Sequence, residues 1–432
     1  MCIRDSIPKP VDLAVVVVPA KLVPGVLREC GEKGVRGAIV ISAGFSEVGN
    51  VELEEELRRV AEEHGIRVVG PNCLGVYDPY TGVDTLFLPT HKILKDGRKL
   101  LSIPRPKPGY VSFVSQSGAF GTAALDYMAG EGIGIRTFVS YGNRADVDEA
   151  DLLEYFAEDD KTRVVMMYVE SIERGRKFLE VASRTTLRKP VVAIKTGRTK
   201  AGSRAAASHT ASMTGVDEIY EAAFRKAGVV RTYSMEEFLD AAKALAFQPP
   251  ARDKRVGILT DGGGAGVMAT DALESLGLEV PEFSGETRGE LEGLVKRGVV
   301  PPFATIGNPV DLTGSATTEM YVEVFRVMLE SDQVDAVLVI ALHHVPAITD
   351  PLELVEEMCK VAKEYKKPVV VCDIGSSEAA VAVRDGFDEH YVPSYPSPER
   401  CAHALRALVE YGAYLKKRGV LEDYLNSWSP AA

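Results

Sequence analysis

Residues 195–215 read KTGRTKAGSRAAASHTASMTG. Gly, Ala, Ser and Thr dominate this run, and almost nothing in it can anchor a core. One imidazole, His209, stands among the hydroxyls, with Lys195, Arg198, Lys200 and Arg204 upstream. An imidazole nitrogen can attack phosphorus and hold the phosphoryl group covalently. Small neighbours leave room for the phosphoryl oxygens, and a segment of this composition is expected to be a pliable loop that a ligand can approach closely. A nucleophilic imidazole needs a carboxylate or carbonyl on its other nitrogen to fix its tautomer. Glu170 is the leading partner. It follows a Val/Met-rich run at 163–168, and the His209 segment leaves the next such run, 191–194. Neighbouring parallel strands would bring both to one rim, where ligands bind in parallel sheets.

Two glycine turns could seat the phosphate. Residues 111–121 read VSFVSQSGAFG, a short apolar run breaking into a helix-like stretch. Backbone N–H groups of Ser117, Gly118 and Ala119 would then form an anion seat at a helix N-terminus. Residues 256–272 read VGILTDGGGAGVMATDA, which places Gly263 and Gly264 at a second turn of the same kind. Neither is a P-loop. The spacing of the second is not the dinucleotide pattern Gly-x-Gly-x-x-Gly with a downstream acid, which argues against an NAD-dependent oxidoreductase. Three further turns, VPAK (18–21), ISAGF (41–45) and GPNCLG (70–75), each end an apolar run. Together they would line one sheet rim suited to a flat or extended nucleotide-like ligand. His343 and His344 follow another apolar run and could line a site, but no carboxylate or cysteine stands at metal-ligand spacing, so no metal is expected.

These turns require strands and helices to carry them. Short Val/Ile-rich runs alternate with amphipathic stretches, the pattern of parallel sheets flanked by helices. Three α/β blocks emerge. Block 7–95 has strands at 13–18, 38–41 and 68–69 and helices at 22–33 and 51–64. Block 110–246 has strands at 111–114, 135–139, 163–168 and 191–194. Block 255–418 has strands at 256–259, 336–340 and 369–372. The stretch 96–109, with its PRPKPG, reads as a connector that continues neither helix nor sheet, and 247–254 as a second connector. The tail beyond 418 has little pattern and is expected to fray. Residues 1–6 fit no element and are set aside as an assembly scar. The first block opens on what would be a mid-sheet strand, so an earlier βαβ segment is expected to be missing.

The 432-residue chain carries 50 Lys and Arg against 62 Asp and Glu, a formal charge of −12. That balance disfavours nucleic acid and anionic membranes, which need clustered basic residues. No apolar run approaches the roughly 20 residues of a bilayer span. The 6 cysteines are scattered and read as reduced, hence a cytoplasmic setting. Cys73 alone sits in a loop near a candidate rim.

Taken together and in order, SQSGAFG, SYGNRADVDEADLLEY (140–155), YVES (168–171), SHTASMTG (208–215), DGGGAGVMATD (261–271) and GNPVDL (307–312) resemble the alpha subunit of ADP-forming acetyl-CoA synthetases, within the succinyl-CoA synthetase superfamily. The match runs from about residue 10 to 418. It implies three doubly wound parallel-sheet domains: a truncated Rossmann-like CoA-binding domain and two flavodoxin-like domains. It implies coenzyme A bound by Val18, Pro19, Lys21, Ser42, Gly44, Phe45, Pro71, Asn72 and Cys73, with Asn143 on the substrate rim. By the same resemblance His209 is transiently phosphorylated, Glu170 orients it, and the helix start at Ser117 and Gly118 holds the phosphate. Acyl-CoA, phosphate and ADP would be interconverted with a carboxylic acid, CoA and ATP through an acyl phosphate. ADP or ATP with Mg2+ would sit on an ATP-grasp beta subunit, in an alpha2beta2 assembly, so the chain alone is expected to be inactive. Two departures stand out: His209-Thr210-Ala211 replaces the usual His-Thr-Gly, and the opening strand of the CoA domain is absent. The alternatives are the synthetase-like part of a fused acyltransferase and a non-catalytic CoA-binding module.

Overall fold

The structure, a computed structural model, describes residue 7, residues 9–210 and residues 215–429, and of the side chains at 206–210 nothing is described. The chain divides into two compact units, residues up to 235 and residues from 236 onward.

Among the described residues the first unit holds a three-stranded sheet, a seven-stranded sheet and a two-stranded hairpin. Three parallel strands, β1 (Leu13–Val16), β2 (Gly37–Val40) and β3 (Arg67–Val69), lie in the order β1-β2-β3, connected by α1 (Val23–Glu32) and α2 (Val51–His64). Helix α2 stops at Gly65, whose φ of 66° is the left-handed conformation that closes helices. Val16, Val40, Leu57, Val60 and Val68 form its buried core.

The chain then adds β4 (Gly75–Asp78) and β5 (Val83–Asp84), a separate hairpin of β6 (His91–Ile93) and β7 (Lys99–Leu101), and β8 (Pro108–Ser115), α3 (Gly118–Gly130), β9 (Ile135–Ser140), α4 (Glu149–Glu158), β10 (Val164–Val169), α5 (Gly175–Thr185), β11 (Val191–Lys195), α6 (Lys200–Thr210), α7 (Asp217–Ala227) and β12 (Val230–Thr232). The second sheet runs β12-β11-β10-β8-β9-β4-β5. Its five parallel strands follow the flavodoxin order 2-1-3-4-5, and β4 closes the β9 side antiparallel. Residues 75–84, which the sequence pattern groups with the first block, therefore pair with the second sheet. The stretch 96–109 is not the structureless connector expected: it contributes β7 and the start of β8. Pro108 is tolerated because it is the first residue of its strand.

The second unit is built from α8 (Met235–Phe247), β13 (Val256–Thr260), α9 (Gly263–Ser275), α10 (Gly285–Lys296), β14 (Thr305–Ile306), β15 (Val310–Asp311), α11 (Thr318–Glu330), β16 (Ala336–Ile340), α12 (Pro351–Ala362), β17 (Val369–Cys372), α13 (Glu378–Glu389), β18 (Ser394–Tyr395), α14 (Pro398–Lys417) and α15 (Leu421–Ser427). The order β14-β15-β13-β16-β17-β18 repeats the flavodoxin arrangement, with β14 antiparallel. Every residue of β13 and β16 is buried, as a parallel sheet covered on both faces requires. Helix α8 belongs to this unit although its sequence reads with the second block. Its buried Lys243 pairs with Asp388 of α13 and donates to the Ser394 carbonyl at 3.0 Å. The tail is ordered where fraying was expected, because Leu421 and Leu425 of α15 are buried and Tyr424 stacks edge-on against Tyr411. Among the described residues no helix is long and apolar enough to cross a membrane, and no group of three His, Cys, Asp or Glu is placed to hold a metal ion.

Candidate active site

A cavity of about 1090 Å³ opens in the first unit at the carboxyl ends of both sheets. It includes the switch point between β8 and β10, where strand order reverses and open α/β sheets bind ligands. Ser117, Gly118, Ala119 and Glu170 all line it, as the sequence suggested. Ser117 caps α3, its Oγ accepting the Phe120 N–H at 3.3 Å. The first-turn amides, with no partner inside the helix, are the donors an anion would meet.

Glu170 is 5% exposed and is held by a neighbour the sequence reading passed over. Gln116, between the end of β8 and the cap, accepts the N–H groups of Glu170 at 2.6 Å and Ser171 at 3.1 Å through Oε1. From the other side Arg144 donates to the Ser171 carbonyl at 2.8 Å and to its hydroxyl at 2.9 Å. Glu149 is 1% exposed, and among the described residues neither of its carboxylate oxygens has a hydrogen-bond partner. Burial, against the pull of Arg144, pushes its carboxyl up to about 7. Lys195 at the end of β11 is also buried, with its ammonium 4.6 Å from the centre of the Tyr220 ring. Burial pulls it down to about 8, against the attraction of Asp217.

Asn143 also lines the cavity and forms the centre of a polar cluster. Its amide nitrogen lies within hydrogen-bonding reach of Ser46 Oγ at 3.1 Å, Glu47 Oε2 at 2.6 Å and Glu54 Oε2 at 2.9 Å, donating its two hydrogens among them, while its oxygen accepts from Asn72 at 3.2 Å. Burial raises the Glu47 carboxyl, but the Gly44 amide and the Asn143 carboxamide outweigh it and hold Glu47 below the usual carboxylate range. The backbone joins the two loops as well. Asn143 N–H reaches the Pro71 carbonyl and Ala145 N–H the Gly70 carbonyl, each at 2.9 Å. Gly142, with φ of 52°, sits so close that a Cβ would lie 2.2 Å from the Pro71 oxygen.

The CoA-edge expectations divide. Asn72 and Cys73 line the cavity, joined by Ile41 and Ala43 rather than Ser42, Gly44 or Phe45. Phe45 is fully buried in the first-sheet core, Pro71 is buried, and Ser42 Oγ is turned inward to accept the Val18 N–H at 3.1 Å. The Gly44 N–H is taken by Glu47 Oε1 at 2.5 Å. Val18, Pro19 and Lys21 lie outside the cavity lining. The Cys73 thiol donates toward the Val40 carbonyl at 3.3 Å, and burial pushes it up to about 12, so it stays protonated.

The expected pliable loop 195–215 is, over residues 200–210, helix α6. Its alanines favour that conformation, since small size serves helix formation as well as close approach. His209 is in this helix, and its side chain lies outside the described residues. Helix α6 lies beside the 3-10 turn Ser46–Val48, whose Ser46 and Glu47 line the cavity. In the second unit Gly263 and Gly264 open α9 as expected, but the Asp311 carboxylate lies against Gly263, 2.6 Å from where a Cβ would stand. That seat therefore already faces a negative group. Gln116, Arg144, Glu47 and Glu149 were the residues missed. The signal for Gln116 and Arg144 lies in SQSG and GNR, where polar residues follow strand ends.

Residues 108–245 match the succinyl-CoA ligase-like flavodoxin domain, 256–412 the ligase-CoA domain, and 2–79 the CoA-binding domain. The alpha subunit of acetate–CoA ligase (ADP-forming) I from Pyrococcus furiosus is 40% identical over 95% of this chain and 85% of its own length. The acetate–CoA ligase (ADP-forming) of Methanocaldococcus jannaschii is 38% identical over 96% of this chain, which spans only 56% of that longer protein. The dinucleotide-forming acetyl-coenzyme A synthetase 1 of Ca. Korarchaeum cryptofilum, solved with phosphate and ADP, superposes with a TM-score of 0.84 at 39% identity, covering 95% of this chain and 86% of that one. A CoA-binding sheet followed by two flavodoxin-ordered sheets, with a helix start and a buried glutamate at the first switch point, defines a protein of the succinyl-CoA ligase class. Within that class, the chain belongs to the family of ADP-forming acetate–CoA ligase alpha subunits.

Proposed function

We propose that this chain is the phosphoryl-carrying subunit of an ADP-forming acyl-CoA synthetase, with His209 as the carrier. The supporting observation is convergence. Glu170, the open start of α3 and the loop at Asn72 share one cavity, and the helix bearing His209 lies beside a turn that lines it. Acyl-CoA enters at the edge formed by Ile41, Ala43 and Asn72. A phosphate oxygen, with phosphate seated on the Gly118 and Ala119 amides, attacks the acyl carbonyl. The C–S bond breaks, and the thiolate takes the proton. A His209 nitrogen then attacks phosphorus and the carboxylate leaves, with Glu170 balancing the charge on the imidazole. The phosphoryl group passes to ADP, with Mg2+, on a partner beta subunit of the ATP-grasp type, in an alpha2beta2 assembly in the cytoplasm.

The test is phosphorylation. The chain, mixed with a beta subunit, ATP and magnesium, should gain one acid-labile phosphate that peptide mass spectrometry places on His209. An adduct that survives His209→Ala, or no adduct in a complex that makes ATP, overturns the reading.

A further inference from the structure

The second unit contains a hydrogen-bonded Ser–His–Asp array that the phosphoryl chemistry does not use. His343 follows β16 at the switch point of its sheet, and Asp373 directly follows the neighbouring strand β17. Asp373 is fully buried. Its Oδ1 lies 2.9 Å from His343 Nδ1 and accepts the His343 backbone N–H at 3.3 Å, while its Oδ2 has no partner among the described residues. On the other side of the ring, Nε2 lies 3.1 Å from Ser377 Oγ. The network runs in one direction. A carboxylate facing Nδ1 requires the proton there, leaving Nε2 as the acceptor for the serine hydroxyl. Ser377 Oγ in turn accepts the Ala380 N–H at 3.2 Å as the cap of α13.

The array is built into its surroundings. Gly375, with φ of 153°, leaves the ring its space: a Cβ there would stand 3.0 Å from His343 Cε1. Arg384 ties the loop by donating to the Asp373 and Gly375 carbonyls, both at 2.8 Å. Ser377 itself is exposed. The amides of Glu378 and Ala379 open the helix just after it, without intrahelical partners, which is where an oxyanion would be received when a nucleophile heads a helix. Ile374 and Val381, exposed apolar residues on the same loop and helix, suit a hydrocarbon chain and not a phosphate.

We propose that Ser377, His343 and Asp373 form a nucleophilic triad that accepts an acyl group from a small thioester or ester. Ser377 Oγ attacks the carbonyl, the C–S or C–O bond breaks, and the hydroxyl proton passes to His343 Nε2 and on to the leaving group. Water then attacks the acyl-serine, giving a proton to Nε2 and releasing the acid, and the serine is restored.

The full chain is treated with a fluorophosphonate probe and, separately, with p-nitrophenyl acetate. Stoichiometric labelling of Ser377 is expected, together with ester turnover. His343→Gln and Asp373→Asn should slow labelling at least a hundredfold. Ser377→Asn, which retains a capping side chain, should abolish labelling and turnover while the melting temperature is kept. In the wild type the labelling rate should rise with the deprotonation of one imidazole, a dependence lost in His343→Gln. Absence of label on Ser377 in the folded chain, labelling undiminished by His343→Gln, or turnover persisting in Ser377→Asn each overturns the proposal.

Discussion

The side-chain oxygen of Gln116 accepts the backbone amides of Glu170 and Ser171, at 2.6 and 3.1 Å. It thereby couples the turn that opens α3 to the loop that carries the glutamate, so the two sides of the candidate site keep a fixed spacing. Gln116→Ala leaves two largely buried N–H groups without an acceptor, at a cost of about 2 kcal/mol. Denaturant titration should show that loss, and the rate of His209 phosphorylation should fall about tenfold or more as the glutamate loses its placement.

Glu170→Gln keeps the size of the side chain and removes its charge. Phosphorylation of His209 should slow by about tenfold or more, with the melting temperature little changed. A pre-steady-state measurement of phosphoenzyme formation separates this from a binding defect, which would instead raise the substrate concentration at half-maximal rate.

Gly142 is where the loop after β9 passes the loop after β3. Ala at this position would combine a φ of 52° with a Cβ at 2.2 Å from the Pro71 oxygen and 2.4 Å from the Asn72 oxygen. A cost of about 3 kcal/mol or more follows from strain and displacement together. Thermal melts should show it, and limited proteolysis should find the loops near Asn72 and Asn143 newly accessible.

Glu149 predicts a pH dependence. Its folded-state value, raised to about 7 from 4.5, means the native chain holds a proton that the unfolded chain has released between these values. Stability therefore falls as pH rises from about 4.5 to 7. The contribution is at most about 3 kcal/mol. Glu149→Gln should remove this slope, so that the variant gains on the wild type between pH 5 and pH 8 in paired denaturant titrations.

The sheets were legible because strands such as β16 and β17 are continuous apolar runs with turn residues at both ends, and the Ser117 cap follows another strand, β8, with one residue between them. The pairing of β4 with β9 was not, because register between distant segments depends on partners that a local pattern does not contain. Ser42 and Phe45 show the same limit within a site. The turn lies where the pattern places it, but which of its residues face the cavity depends on backbone rotation: Ile41 and Ala43 line the cavity while Phe45 fills the core. Helix α6 was misread for a different reason, since alanine serves both close approach and helix formation. Glu149 escaped notice because an acidic residue near a helix start is ordinary until burial is known.

The antiparallel pairing of β4 with β9 bears on how this protein can be dissected. The segment 75–78 falls within the stretch matching the CoA-binding domain, yet it supplies the outer neighbour of a strand in the flavodoxin-like sheet. A fragment begun at residue 108 would leave β9 with a row of open amides and carbonyls, a template for adding strands from other copies. Modular by sequence, the two regions share one strand, and a fragment cut at the apparent boundary would carry an adhesive edge that the intact chain conceals.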